Sequence, residues 1–121
     1  IDENERRYIN QNTDAAIIGR TVYGKNTIFG ECQVITDYEQ INFLKKGKIL
    51  VAPSTLPKYN HIYRRAKAIV TDEGGALAHA AIFCREFKIP GIIGTKIATQ
   101  ILETGVKVEM DLEKGVVRIL E

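Results

Sequence analysis

A histidine that follows two glycines at the predicted start of a helix is the most chemically suggestive feature of this sequence. Residues 68–94, AIVTDEGGALAHAAIFCREFKIPGIIG, predict a strand, a glycine loop, a helix and a second strand, with His79 in the first helical turn. The unpaired backbone N–H groups and the dipole of a helix start attract phosphate. The same field disfavours imidazolium, so we expect a neutral His79 with one ring nitrogen available as a nucleophile. Such a residue can accept a phosphoryl group and pass it on.

The surroundings of His79 support this reading but leave a structural one open. Gly74 and Gly75 keep side chains away from the ring and allow unusual backbone dihedrals. At about 100° per residue, His79 lies roughly 135° from the centre of the apolar helix face, so we expect it to point towards solvent or a docking partner. That face is formed by Leu77, Ala80, Ala81, Cys84 and Phe87. A lone histidine near an alanine-rich helix start is, however, more often a surface or packing residue.

Other polar residues give weaker signals. Arg85 could pair with a carboxylate or reach a phosphate on the loaded histidine. Asp72 and Glu73 border the glycine loop, where they would repel phosphate, and we expect them to cap a helix or face solvent. His61 is expected to be a surface residue of a helix rather than a second catalytic histidine.

Composition excludes several classes of protein. In 121 residues, 17 Lys and Arg stand against 15 Asp and Glu, a net charge of +2 without a dense basic block, so neither nucleic acid nor an anionic membrane is an expected partner. No apolar run approaches the roughly 20 residues that span a bilayer, so we expect no membrane span, and we expect no signal peptide in the polar first residues. Cys32 and Cys84 form no metal-binding or disulfide pattern, so we expect free buried thiols, no metal site and a cytoplasmic location.

The elements that must position these residues predict one α/β domain. Short apolar strands at 49–52, 68–71 and 92–94 alternate with helices from Pro57 to about residue 65 and over 77–87. This alternation favours a partly parallel sheet with helices packed on it. Further short elements are predicted at 17–18, 21–23, 27–29, 32–36, 37–44 and 98–102, with a turn at 24–26. Hairpins are predicted at the ends, one of them formed by 106–110 and 116–120 around 111–115.

The predicted fold class is therefore α/β with a mixed sheet. Residues 15–121 are expected to form the domain, and polar residues 1–14 a linker or frayed end. The chain begins with Ile1 rather than Met, so we also expect a processed or excised piece of a longer protein.

The segment TDEGGALAHAAIFCREFKIPGIIGT resembles the signature of a known family: the mobile, swivelling phosphohistidine domain of phosphoenolpyruvate-utilising enzymes. The group includes phosphoenolpyruvate synthase, pyruvate phosphate dikinase and the rifampicin phosphotransferases. The segments GKILVAPSTLP and GVKVEMDLEKGVVRIL are also similar to the family's preceding strand and loop and to its final hairpin. The resemblance covers roughly residues 15–120.

The resemblance implies a role for individual residues. His79 falls on the phosphorylated histidine, and Gly74 and Gly75 fall on the glycine pair of the motif. The residues that match the remainder of the motif are Arg85, Glu86, Pro90 and Gly94. Such a domain carries a phosphoryl group between an ATP-binding domain and an acceptor-binding domain of the same protein. ATP and Mg²⁺ would be held by those partner domains, because nothing here resembles a P-loop, and the domain would not be active alone.

The sequence departs from the family at two positions. Dikinases of this group commonly carry Thr and then Ser or Cys before the histidine, where this chain has Leu77 and Ala78. Control through a threonine at this point is therefore not expected, and a non-catalytic interaction or regulatory module with the same fold is the alternative function. The final acceptor stays open between pyruvate or phosphoenolpyruvate, an antibiotic hydroxyl and another small molecule.

Overall fold

Eight strands form one mixed sheet in the computed structural model, which describes residues 17–120. The strand order across the sheet is β1-β8-β7-β3-β4-β5-β6-β2. The predicted linker over residues 1–14 lies outside the described residues. The strands are β1 (Ile17–Ile18), β2 (Arg20–Tyr23), β3 (Thr27–Val34), β4 (Ile49–Ala52), β5 (Ala68–Thr71), β6 (Gly91–Ile93), β7 (Lys107–Asp111) and β8 (Val116–Ile119).

The centre of the sheet is parallel and its flanks are antiparallel. Strand β4 pairs in parallel with β3 and β5, and β5 pairs in parallel with β6. All residues of β4 and β5 are buried, as expected for parallel strands covered on both faces. Antiparallel partners flank this unit: β2 beside β6, and β7 beside β3. The predicted α/β class with a mixed sheet is confirmed.

The hairpins that the sequence predicts near the two ends of the domain have different outcomes in the structure. The predicted C-terminal hairpin is present, with Met110 opposite Val117 in the antiparallel pair β7–β8. Strands β2 and β3 flank the predicted turn at residues 24–26 but do not pair with each other. Instead β2 pairs with β6, while β3 pairs with β4 and β7. A turn signal between two β-rich runs therefore marks a change of strand position here, because each run finds a longer-range partner.

Three α-helices and two 3₁₀ helices connect these strands. The α-helices are α1 (Asn60–Tyr63), α2 (His79–Phe87) and α3 (Ala98–Ile101), and the 3₁₀ helices are Tyr38–Phe43 and Pro57–Tyr59. Pro57 occupies the first helical position, where its missing N–H is harmless, and Asp37 caps the first 3₁₀ helix by accepting from the N–H of Glu39. Helix α2 begins two residues later than predicted.

The core lies on both faces of the sheet. On one face Ala80, Ala81 and Phe83 of α2 belong to a buried cluster that also contains Leu50 and Ile69 of the central strands. On the other face Val51 and Val70 share a second cluster with Ala98 of α3, with Leu102 just after it, and with Val108 and Met110 of β7. Because α2 is fixed against the sheet along its length, the position of its first residue is fixed too.

Candidate functional site

The site lies where two parallel strands end at the same edge of the sheet. The loop after β4 and the loop after β5 lie side by side: the N–H of Asp72 donates to the carbonyl of Ala52 at 3.2 Å, and that of Glu73 to Pro53 at 2.9 Å. An open pocket of about 580 Å³ lies between these loops and the start of α2. It is lined by Ser54, Thr55, residues 73–78, His79 and Ala80. The edge of an α/β sheet at the carboxyl ends of its strands is a common place for ligands.

His79 is hydrogen-bonded through both ring nitrogens. Its Nδ1 lies 2.7 Å from Oγ1 of Thr55, and its Nε2 lies 2.9 Å from Oδ1 of Asn60. Thr55 belongs to the loop after β4 and is only 5% exposed, whereas Asn60 is the first residue of α1 and is half-buried. Three separate elements therefore meet at one imidazole and hold its plane.

The predicted orientation of His79 is only partly correct, because the ring lines the open pocket but is also packed against buried residues. The ring does not point freely to solvent but is half-buried, with ring centroids 6.3 Å from Tyr63 and 6.0 Å from Phe83. The buried face of α2 includes Phe83, which lies one turn after His79, while Leu77 precedes the helix and is 88% exposed. The buried face of α2 therefore includes Phe83 and not Leu77, and its edge lies closer to His79 than the sequence predicts. This explains why the ring is half-buried.

The predicted neutral state of His79 agrees with its surroundings, although the main cause differs. Burial lowers the pKa of His79 below its ordinary value, with hydrogen bonding at Thr55 acting in the opposite direction. The helix start adds to this, because Ala78 at the N-cap position offers no side-chain acceptor to the first N–H groups of α2. These groups stay available to an anion placed at the pocket.

Gly74 and Gly75 are glycines for different structural reasons. Gly74 has φ +150°, and a Cβ atom there would lie 2.7 Å from Cδ1 of Ile93. Gly75 has nothing within 4 Å of the position of such an atom. Gly74 is thus required by the close approach of the loop to β6, and Gly75 keeps the mouth of the pocket free of a side chain.

Three charged residues lie near the glycine loop, and each has a different environment. Arg85 is exposed, and its Nη1 donates to the carbonyl of Ala76 at 3.3 Å, so the guanidinium lies beside the glycine loop. Asp72 accepts hydrogen bonds from the N–H and the hydroxyl of Thr99 in α3, which confirms its expected capping role. Glu73 is exposed, as expected.

His61 is exposed on α1, as the sequence predicts, although it adjoins Asn60. Cys32 and Cys84 are both free and buried, which confirms the prediction of buried thiols. Burial raises the pKa of each thiol to about 12.

Thr55 and Asn60 are the functional candidates that sequence reasoning missed. Thr55 had a usable signal, because it follows a predicted parallel strand and such strands end at one edge of the sheet. Asn60 had none, since it reaches His79 only through the packing of α1 against α2. Within residues 17–120 no group of three His, Cys, Asp or Glu side chains is arranged to hold a metal ion. In the same range no helix is long and apolar enough to cross a membrane.

Comparison with known proteins agrees with this architecture. A family model described as "PEP-utilising enzyme, mobile domain" matches residues 44–115. A probable phosphoenolpyruvate synthase of Archaeoglobus fulgidus is 46% identical over 88 residues, which is 73% of this chain and 12% of that protein. A chondramide synthase of Chondromyces crocatus is 38% identical over 109 residues, 90% of this chain and 3% of that protein.

Among solved structures, the solution structure of the protein Enzyme I superposes with a TM-score of 0.55 and 25% identity, over 65% of this chain and 33% of that one. The fold and the family match together define a swivelling-type α/β domain. The chain belongs to the family of mobile domains of phosphoenolpyruvate-utilising enzymes. It spans about one eighth of the length of the Archaeoglobus relative.

Proposed function

We propose that the chain is a phosphoryl-carrier domain of an ATP-dependent phosphotransferase and that His79 carries the phosphoryl group. The observation that supports this most directly is the placement of His79 in the first turn of α2, at the rim of an open pocket and with a lowered pKa. A neutral imidazole has a nucleophilic lone pair at physiological pH. The uncapped helix start and Gly75 leave room and N–H donors for a tetrahedral anion.

The transfer step needs little from this chain beyond position and a free lone pair. The ring nitrogen attacks a phosphorus atom of the nucleotide, an N–P bond forms, and the P–O bond to the leaving nucleotide oxygen breaks. With the ring proton on Nδ1, attack through Nε2 leaves that proton in place, so the ring of the phosphohistidine carries a positive charge until the Nδ1 proton is released. A second transfer reverses this at the acceptor and restores the histidine.

In this proposal Arg85 contacts the phosphoryl group, and other domains bind the nucleotide and the acceptor. The Arg85 guanidinium lies beside Ala76, one loop away from the histidine, and serves as a donor to the phosphoryl oxygens once His79 is loaded. ATP and Mg²⁺ are held by other domains of the same cytoplasmic protein, and pyruvate, phosphoenolpyruvate or another small molecule is held by a third. The names of the relatives, a phosphoenolpyruvate synthase and a chondramide synthase, support no single acceptor.

A non-catalytic interaction module is the second candidate. The side chain of Leu77 is 88% exposed at the mouth of the pocket and gives it an apolar rim where related dikinases commonly have a hydroxyl. Such a rim suits contact with a protein surface as well as it suits catalysis.

Labelling with ATP separates the two candidates. The chain is incubated with Mg²⁺, ATP labelled at its β- and γ-phosphates, and the nucleotide-binding domain of its full-length protein. The carrier predicts an acid-labile, base-stable label that is lost in His79→Asn and kept in the matched control His61→Asn. A label that persists in His79→Asn contradicts the assignment, and the absence of any label favours the interaction module.

A further inference from the structure

The pocket beside His79 is lined by two side-chain hydroxyls, and one of them is committed to the imidazole. Ser54 and Thr55 both line the pocket from the loop after β4. The hydroxyl oxygen of Thr55 lies 2.7 Å from Nδ1 of His79. Apart from His79, the other side chains that line the pocket are those of glycine, alanine, leucine and an ionised glutamate, which donate no hydrogen bonds. The hydroxyl of Ser54 is therefore the side-chain donor of this lining that is left for a bound anion.

The backbone on both sides of Ser54 is held against neighbouring elements. Before the serine, the carbonyl of Pro53 accepts from the N–H of Glu73 at 2.9 Å, which ties this segment to the glycine loop. After the serine, the N–H of Leu56 donates to the hydroxyl of buried Tyr63 at 3.0 Å. Ser54 itself is half-buried. Its hydroxyl is therefore presented to the pocket from a backbone that is fixed at both ends.

Tyr38 is placed to orient this hydroxyl. The phenol oxygen of Tyr38 is hydrogen-bonded to Oγ of Ser54. Either hydroxyl can donate in this pair, but when Ser54 gives its own proton to an anion, Tyr38 must be the donor. A hydroxyl oxygen that accepts a hydrogen bond becomes a stronger donor in turn. The ring of Tyr38 stacks on Tyr59, with centroids 6.2 Å apart and an angle of 15° between the planes, and this contact holds the phenol in place.

A phosphoryl group on His79 has three oxygens that need donors. The start of α2 supplies backbone N–H groups, because Ala78 offers no side-chain acceptor to them. Neither Leu77 nor Ala78 has a hydroxyl, although related dikinases commonly carry one there. In this chain the loop after β4 brings a hydroxyl, that of Ser54, to the same pocket from its other wall.

We propose that Ser54 is a phosphoryl-binding residue of this site and that Tyr38 is the positioning residue that orients its hydroxyl. This inference rests on the proposed function and adds a contact to the group that His79 carries. Oγ of Ser54 donates to a phosphoryl oxygen and accepts from the phenol of Tyr38. Donors of this kind stabilise the negative charge on the transferring group while the N–P bond forms and the P–O bond to the leaving oxygen breaks. Ser54 itself forms no covalent bond in this step.

Variants that differ by one hydroxyl test the role of Ser54. Ser54→Thr and Ser54→Val have nearly the same shape, so any cost of the added bulk is common to both and the difference between them reports the hydroxyl. Ser54→Ala removes the hydroxyl without adding bulk. Tyr38→Phe removes the phenol oxygen and keeps the ring that stacks on Tyr59. Tyr59→Phe, which removes a phenol oxygen from the neighbouring ring, is the matched control.

The full-length protein is treated with phosphoramidate, a small phosphoryl donor that needs no partner domain. Mass spectrometry gives the ratio of phosphorylation at His79 to that at exposed His61. Ser54→Ala should lower this ratio about tenfold, the effect of one lost hydrogen bond to a charged group, and Ser54→Val should fall below Ser54→Thr by a similar factor. Tyr38→Phe should lower the ratio about two- to threefold. It should have no further effect in a Ser54→Ala background, because Tyr38 acts through the serine.

Three results would overturn this proposal. The first is equal labelling of Ser54→Thr and Ser54→Val together with wild-type labelling of Ser54→Ala. The second is phosphate on Ser54 itself, which would make the serine an acceptor of the phosphoryl group. The third, a further loss from Tyr38→Phe in the Ser54→Ala background, would contradict the positioning role of Tyr38. The proposed function fails by a different result, namely a wild-type protein that phosphoramidate labels at His79 and that ATP with Mg²⁺ does not.

Discussion

The hydroxyl oxygen of Thr55 lies 2.7 Å from Nδ1 of His79, and this contact joins the loop after β4 to the first residue of α2. Thr55 is 5% exposed and, like His79, lines the open pocket. The imidazole is thus held from the loop after β4, while its other nitrogen contacts Asn60 of α1.

Removing the Thr55 hydroxyl should weaken both the fold and the site. Thr55→Val keeps the shape of the side chain but leaves Nδ1 without a partner, which should lower the free energy of unfolding by about 1 kcal/mol. It should also slow labelling of His79, because the ring is no longer held in one orientation. Urea denaturation measures the first effect, and labelling of His79 by phosphoramidate, a small phosphoryl donor, measures the second. Thr55→Ser keeps the hydroxyl and should restore both; equal behaviour of Val and Ser would contradict this role.

The lowered pKa of His79 predicts a pH-dependent stability. Its ordinary value is 6.5, and burial lowers it in the folded protein. As the pH falls below 6.5 the unfolded chain takes up a proton first, so the free energy of unfolding decreases until the pH passes the folded-state pKa and then levels off. Denaturation at a series of pH values should show this slope in the wild type and in His61→Gln. The slope should be absent in His79→Gln, and its persistence there would assign it to another group.

The two glycines of the loop should respond differently to alanine. Gly74→Ala places a Cβ atom 2.7 Å from Ile93 Cδ1 at a φ of +150°, so it should lower the free energy of unfolding by about 1–3 kcal/mol. Gly75→Ala meets nothing within 4 Å and should change stability by less than about 0.5 kcal/mol. Thermal denaturation of the two variants side by side tests the distinction, and a larger loss in Gly75→Ala would contradict it.

The two cysteines should be inert in the folded protein. Burial raises the pKa of Cys32 and Cys84 to about 12, and neither thiol is accessible. We expect neither to react with a thiol-specific disulfide reagent at pH 8, and both to react once denaturant unfolds the chain. Rapid modification of either thiol under native conditions would show that its part of the core opens readily.

The sequence predicts the frame of the site better than the contacts within it. The short apolar strands, Pro57 at a helix start and the glycine loop before His79 are local patterns, and each is present in the structure. The half-burial of His79 is not predicted, because the apolar face expected from the sequence includes Leu77 and omits Phe83. Leu77 has the right spacing for that face but lies before the helix begins.

The partners of the imidazole could not be read from local patterns at all. Thr55 and Asn60 lie 24 and 19 residues before His79 and reach it from two other elements. Their meeting depends on the parallel pairing of β4 with β5 and on the packing of α1, both of which are long-range. Hydrogen bonds between side chains of separate elements carry no period in the sequence, so only the fold reveals them.

The proposal that His79 carries the phosphoryl group is tested most directly by locating that group on the chain. The chain is incubated with ATP, Mg²⁺ and the nucleotide-binding domain of its full-length protein, and the site is mapped by mass spectrometry under alkaline conditions that preserve phosphohistidine. We expect one phosphoryl group per chain, on His79, and none in His79→Asn. A phosphoryl group on His61 or any other residue, or an unmodified chain beside an active nucleotide-binding domain, would contradict it.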